Sequence, residues 1–188
     1  CALPISFASA GGVIYAEGGG LLYLSRSVEN PTEFPPHNLV GVFPFRTRIS
    51  EAPPEDSGYV SVEVLNGCPV FSAGLQAKGH ICHGSHVIQE IVRSAWGSIE
   101  GSEQTDFDYT YRLSGEISKH GITKEGYTRN SVLASYVHLQ FASNQRLAPA
   151  FVERCRRVNL TKVQEAVNRG MMKLTAMNTR RAMFAKRI

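Results

Sequence analysis

The sequence has few of the features that mark secreted or membrane-spanning proteins. No run approaches the roughly 18 to 20 apolar residues that a transmembrane helix needs. The N-terminal residues lack the basic-then-apolar layout of a signal peptide. The four cysteines, Cys1, Cys68, Cys82 and Cys155, are widely spaced and form no CxxC pair. We therefore expect an intracellular protein of a reducing compartment, without a transmembrane segment.

Familiar catalytic motifs are also absent: we find no GxxxxGK[ST], no GxGxxG before a helix, no HExxH and no GxSxG. Two local features leave an enzymatic alternative open. Cys1 could act as an N-terminal nucleophile, as in hydrolases that use the free α-amine as base. His80, Cys82, His83 and His86 could ligate zinc, although four ligands within seven residues need a distant partner and suit a strand-to-helix turn better. The sequence therefore favours a protein without cofactor, metal or catalytic residue.

Positive charge is concentrated at the end of the chain. The 188 residues carry a net charge of +4, but residues 151–188 hold ten bases against Glu153 and Glu165. The bases are Arg154, Arg156, Arg157, Lys162, Arg169, Lys173, Arg180, Arg181, Lys186 and Arg187. Clustered cations attract nucleic acids and anionic lipid surfaces. We predict that this segment binds nucleic acid, nucleoprotein, an anionic membrane surface, or the acidic body of a neighbouring copy in a homo-oligomer.

Residues 1–58 are predicted to form a hairpin and an extended arm. The apolar runs Val13 to Tyr15 and Leu21 to Leu24 resemble strands, and Gly18-Gly19-Gly20 between them suits a tight turn. Six of the nine prolines lie between Pro31 and Pro54, and proline removes backbone hydrogen-bond donors. We expect the arm to be anchored by burial of Val40, Val42, Phe43 and Phe45.

Residues 59–145 are predicted to form an α+β core. Valines alternate with polar residues from Tyr59 to Val64, and Asn66-Gly67 favours a hairpin turn into a return strand from Val70 to Ile81. A helix is predicted from Ser85, as its cap, to Trp96, because its apolar residues form one stripe. The remaining predicted strands are Phe107 to Leu113 and Val132 to Phe141.

Residues 146–188 are predicted to be helical, with a capping box at Thr161 and Gln164 and apolar residues spaced by three and four. The predicted fold class is α+β: a mainly antiparallel sheet with one packed central helix, a Pro-rich extended arm and a C-terminal amphipathic basic helix. The predicted domains are 1–58, 59–145 and 146–188.

The order of elements in the core resembles that of rhabdovirus matrix proteins. A strand (70–81), a short turn, one apolar helix (85–96) and a further strand (107–114) follow one another within residues 59–141. The resemblance implies a non-enzymatic virion protein that self-associates, packs on a ribonucleoprotein and contacts the inner face of a membrane. It transfers no functional residue.

These features together predict a structural assembly protein, in keeping with a viral matrix or other virion component. The alternatives are a hydrolase that uses Cys1 or the His80, Cys82, His83 and His86 metal site, and an accessory subunit of a large cellular complex.

Overall fold

The computed structural model describes residues 2–51, 57–88, 109–115 and 121–158, and scattered positions between 162 and 175. Within them the continuous α-helices are α1 (Ala2–Ser9), α2 (Gly19–Leu24) and α3 (Leu147–Arg156), and the scattered positions between 162 and 175 also have helical backbone. The strands are β1 (Ile14–Glu17), β2 (Ser27–Asn30), β3 (Glu33–Asn38), β4 (Arg46–Ile49), β5 (Gly58–Val64), β6 (Gln76–Ile81), β7 (Ser85–Ile88), β8 (Tyr109–Gly115), β9 (Lys124–Arg129), β10 (Val132–Ser135) and β11 (Val137–Gln140).

The described strands make a larger sheet of seven in the order β1-β10-β9-β8-β5-β6-β11. Strand β1 runs parallel to β10, with Glu17 opposite Ser135, and the other pairings of this sheet are antiparallel. The two end strands approach each other, because the backbone N–H of Leu139 on β11 donates to Oε1 of Glu17 on β1 at 2.8 Å. The sheet is therefore curled until it is nearly closed.

A smaller sheet of the described residues has the order β3-β2-β4-β7. One core lies inside the curled sheet and contains Val60, Val62 and Val64, whose alternation with polar residues aims them inward. A second core packs α2 against β10 and the segment from Val40 to Phe45. Leu21 and Leu24 of α2 are both buried there, one helical turn apart. The two cores hold β1, α2 and β11 in fixed relation.

The predicted fold class is wrong, because the described chain is dominated by two sheets and the predicted central helix is not found where it should begin. Ser85–Ile88 is a strand, paired antiparallel with β4 so that Ile88 lies opposite Arg46. Val87 and Ile88 are β-branched and fit a pleated ladder. The hydroxyl of Ser85 donates to Tyr136 Oη at 3.1 Å and caps no helix. Residues 89–96 lie outside the described residues.

The predicted N-terminal hairpin is also wrong. Ile14–Glu17 is a strand, but its partner is β10 and not the run from Leu21 to Leu24, which is helical. A four-residue apolar run suits a buried helix as well as a strand, and the burial of Leu21 and Leu24 favours the helix here. Glycines 18–20 therefore connect a strand to a helix.

Several local predictions are confirmed. The alternating valines form β5, which pairs antiparallel with β6, and Asn66-Gly67 lies in a turn where Gly67 has φ +84°. The predicted start of the return strand at Val70 is wrong, because β6 begins at Gln76 and residues 65–75 connect the two strands. The anchors Val40, Val42, Phe43 and Phe45 are buried, although the arm also contributes β3 and β4. The predicted strand from Val132 to Phe141 is divided at Tyr136 into β10 and β11.

Other expectations remain predictions. The division into 1–58, 59–145 and 146–188 is untested, and α3 is the described helix in the last of these segments. Among the residues that the structure describes, no helix combines the length and apolar character required to traverse a bilayer.

Candidate active site

A sharp turn at Gly18 joins the end of β1 to the start of α2. The N–H of Gly18 donates to the carbonyl of Ser135 at 2.8 Å, which continues the β1–β10 ladder by one residue. The chain then reverses with φ +51° and ψ −113° at Gly18, whose carbonyl accepts from Leu21 N at 3.0 Å. L-residues rarely adopt this backbone conformation, and strained strand-to-helix turns are places where enzymes present a side chain.

His138 on β11 faces this turn. An ideal Cβ built on Gly18 would lie 2.9 Å from both Nε2 and Cε1 of the His138 imidazole. The side chain of His138 is 49% exposed, so a substrate can reach it. Close approach of β11 to β6 is permitted by Gly79, where an added Cβ would lie 2.9 Å from the carbonyl oxygen of His138. The imidazole is thus directed at residue 18.

Glu17 orients the other side of the same ring. Its Oε2 lies 3.4 Å from His138 Nδ1. Its Oε1 accepts from Leu139 N at 2.8 Å and from the Tyr15 hydroxyl. Burial and the neighbouring Glu17 carboxylate raise the pKa of Tyr15 well above its usual value, so this hydroxyl stays a donor. Two donors therefore fix the carboxylate while it faces the imidazole.

The arrangement can perform acid–base chemistry. A carboxylate directed at Nδ1 leaves Nε2 of His138 to take up or deliver a proton, as in Ser-His-Asp sites, and the third position of such a set is that of the nucleophile. Gly18 occupies this third position here. Glu17, Gly18 and His138 together define the candidate active site.

A buried carboxylate supports the segment that carries His138. Glu125 on β9 is buried and accepts from the Ser135 hydroxyl and from Tyr136 N, the latter at 2.9 Å. Ser135 Oγ in turn accepts from Val137 N at 2.9 Å. Desolvation raises the pKa of Glu125 to about 7. These hydrogen bonds stabilise the interruption at Tyr136 between β10 and β11. They therefore determine where β11 begins and where His138 is placed.

The residues of the predicted metal site do not converge in the structure. His80 lies on β6 with its ring centroid 5.3 Å from that of Tyr59, and His83 stacks on Tyr136 at 3.8 Å. Cys82 is exposed, and His86 lies opposite Arg48 in the smaller sheet. Within the described ranges no group of three or more metal-ligating side chains occurs. Cys1 lies outside the described residues.

The predicted anion-binding residues are only partly described. Arg154 Nε donates to the carbonyl of Pro69 at 2.7 Å, Arg157 pairs with Glu153 at 3.1 Å and Arg169 with Glu165 at 3.8 Å. Arg156 lies in α3, and Lys162 has helical backbone. The remaining predicted bases lie outside the described residues: Lys173, Arg180, Arg181, Lys186 and Arg187. Anion binding by this segment remains a prediction.

Sequence reasoning missed the three residues of the candidate site. His138 looked isolated, and the three glycines were interpreted as a hairpin turn. One signal was available: the apolar strand ending in Glu17-Gly18 is followed by Leu21, Leu22 and Leu24, a spacing that a short helix also satisfies. No local pattern pointed to His138, because its contact with residues 17 and 18 is made only by the curled sheet.

Comparison with known proteins identifies the kind of domain that carries this site. A model of the CobB/CobQ-like glutamine amidotransferase domain matches residues 5–146. Cobyrinate a,c-diamide synthase from Syntrophotalea carbinolica is 38% identical over 150 residues, which are 80% of this chain and 30% of that protein. The enzyme of the same name from Leptospira interrogans is 33% identical over 146 residues, 77% of this chain and 28% of the relative. A crystal structure of a glutamine amidotransferase aligns with 76% of this chain and 60% of its own at 16% identity and a TM-score of 0.41.

These matches overturn the functional predictions. The resemblance to rhabdovirus matrix proteins is wrong, and so is the prediction of a non-enzymatic viral or virion assembly protein, because the relatives are named as synthases and the matched domain as an amidotransferase. The resemblance rested on element order alone, and its central helix is not present at Ser85–Ile88. Self-association, nucleic-acid or membrane partners and an intracellular location remain predictions.

Proposed function

Since this chain belongs to the CobB/CobQ-like glutamine amidotransferase family, we propose that it is the amidotransferase domain of an enzyme that converts carboxyl groups of a cobyrinate-type substrate into amides. The names of the matched relatives supply the substrate class. The aligned segment makes up less than a third of those relatives. The proposal therefore assigns this chain the amidotransferase-type domain of that enzyme, and not the binding of cobyrinate.

The observation that carries the proposal is the Glu17–His138 pair, held at the strand-to-helix turn inside the matched segment. Making or breaking an amide bond requires proton transfer at nitrogen, and a histidine oriented by a carboxylate is well suited to that task. The imidazole is accessible from solvent, whereas the carboxylate is fixed by Tyr15 and Leu139. The pair is thus positioned before any substrate binds.

The test is an amidation assay with the protein that carries this chain. Cobyrinate is incubated with a nucleoside triphosphate, which activates carboxyl groups, and with both glutamine and ammonium as nitrogen sources. We expect mass spectrometry to show that carboxyl groups of cobyrinate become amides, and heat-denatured protein to give none. Absence of amide product with both nitrogen sources present would refute the proposed function.

A further inference from the structure

We infer that residue 18 is the nucleophile position of this site, that Gly18 leaves this position empty, and that the protein takes its amide nitrogen from free ammonia instead of glutamine. The inference rests on the proposed function, since it names the nitrogen donor of that same site. It depends on the backbone at residue 18, on the direction of the His138 imidazole, and on the chemistry that a glycine cannot perform.

The geometry at residue 18 is that of a turn built to present a side chain. A parallel strand ends at Glu17, the backbone reverses with φ +51° at Gly18, and α2 begins at Gly19. An ideal Cβ on Gly18 would lie 2.9 Å from Nε2 of His138, which is closer than Cβ atoms normally come to a neighbour, so the end of the imidazole must move slightly to admit a side chain there. Strand–turn–helix elbows of this kind expose a nucleophile beside its base. Here the base is in place.

Nothing else in the described part of the chain fills this position. Apart from its two chain neighbours, only the imidazole of His138 comes within 4 Å of a Cβ on Gly18. The described cysteine thiols are therefore not at this position: Cys68 Sγ accepts from Phe71 N at 3.3 Å, Cys82 follows the end of β6, and Cys155 lies on α3. No described thiol takes the place of a side chain at residue 18.

The missing side chain removes the first step of glutamine hydrolysis. In a Cys–His site the thiol gives its proton to the imidazole and its sulfur attacks the amide carbon. The C–N bond then breaks, and the nitrogen leaves as ammonia with the proton from the imidazole. Water attacks the thioester, passes a proton through the imidazole to the leaving sulfur, and releases glutamate. A hydrogen atom at residue 18 can form no thioester.

Amide formation itself does not need this step. Ammonia from solution can attack a carboxyl carbon that a nucleoside triphosphate has activated as an acyl phosphate. The new C–N bond forms, phosphate leaves, and the nitrogen gives one proton to solvent. The only change from a glutamine-dependent reaction is the source of ammonia, so an enzyme with Gly18 in place of a nucleophile can still make the amide.

The first experiment measures glutamine hydrolysis by the 188-residue chain and by its Gly18→Cys variant, with released ammonia as the readout. We expect no hydrolysis by the wild-type chain above the level of its His138→Asn variant. We expect Gly18→Cys to gain hydrolysis at least tenfold above that level, since its thiol is next to His138. A chloroketone analogue of glutamine should then label residue 18, as shown by peptide mass spectrometry.

Matched variants separate position from the mere presence of a thiol. Gly19→Cys adds a thiol one residue further on, where an added Cβ meets nothing within 4 Å, and we expect no gain in hydrolysis. Combining Gly18→Cys with His138→Asn should abolish the gain while the thiol remains. A folded Gly18→Cys protein that is no more active than Gly19→Cys would overturn the assignment of residue 18.

The second experiment remains informative if Gly18→Cys does not fold. The wild-type amidation assay is run with ¹⁵N-ammonium alone and with amide-¹⁵N-glutamine alone. We expect ¹⁵N in the product only from ammonium. Incorporation from glutamine would overturn the inference while leaving the proposed function intact. Failure with both donors would reject the proposed function, and the inference with it.

Discussion

Nδ1 of His138 lies 3.4 Å from Oε2 of Glu17, although the two residues belong to strands at opposite ends of the larger sheet. The contact exists because the sheet curls and because a single residue, Tyr136, separates β10 from β11. Leu139 N also donates to the Glu17 carboxylate at 2.8 Å, so the two end strands β1 and β11 meet at a seam. The candidate site is therefore located at the seam of a nearly closed sheet.

Tyr15→Phe should destabilise the protein by about 1 to 2 kcal/mol. The substitution keeps the ring that packs against Phe71 and Phe141 but removes the hydroxyl that donates to Glu17. Hydrogen bonds to charged groups contribute about 1.5–3 kcal/mol when intact. Urea denaturation measures the change. Tyr59→Phe is the control, because Tyr59 is 78% exposed and its loss of hydroxyl should change the free energy of unfolding by less than about 0.5 kcal/mol.

Folding stability should fall as pH rises from about 5 to about 7, because of Glu125. Burial raises the pKa of this carboxyl from 4.5 to about 7 in the folded protein. The folded state therefore retains a proton that the unfolded state has lost across this window, and the free energy of unfolding decreases by roughly 3 kcal/mol before levelling above pH 7. Denaturation at a series of pH values measures the slope.

The Glu125→Gln variant should flatten that slope, because an amide does not ionise. Glu63→Gln should retain it, since Glu63 is an exposed carboxylate paired with Arg112 at 2.7 Å. If the slope persists in Glu125→Gln, another group is responsible for the pH dependence.

Thr110→Val should stabilise the protein by about 1 kcal/mol. Thr110 is 1% exposed on β8, and its Oγ1 is among the buried polar atoms without a partner in the described structure. Replacing such a hydroxyl with a methyl group removes a desolvation penalty. Thr47→Val is the matched control, because the equally buried Thr47 Oγ1 donates to Ser27 O at 3.4 Å. Loss of that hydrogen bond in Thr47→Val should destabilise the protein. In thermal unfolding we therefore expect the melting temperature to rise for Thr110→Val and to fall for Thr47→Val.

Gly18→Ala should cost about 1 to 3 kcal/mol in stability, since φ +51° strains any L-residue. Gly19→Ala should be neutral or stabilise by up to about 1 kcal/mol, because alanine is preferred within a helix and has free space at this position. Chemical denaturation of the two variants side by side provides the measurement. Equal effects at the two positions would contradict the strained turn at Gly18.

Features that depend on near neighbours could be predicted from the sequence. The alternation of valines was sufficient for β5, and Asn66-Gly67 was sufficient for a local turn but not for the start of the return strand at Gln76. Burial of Phe43 and Phe45 followed from their size and apolar character. Each of these outcomes is fixed by residues a few positions apart.

Tertiary packing decided the rest. The run from Leu21 to Leu24 is apolar enough for either a strand or a helix, and only its fit into the second core makes it helical. Val87 and Ile88 likewise fit the spacing of a helix, but in the structure they belong to a strand that pairs with β4. The site itself joins Glu17 to β11 across 122 positions of sequence. No local periodicity predicts such a contact, because it is produced by the curvature of the whole sheet. The role of Gly18 likewise became visible only when the structure placed the His138 imidazole beside it.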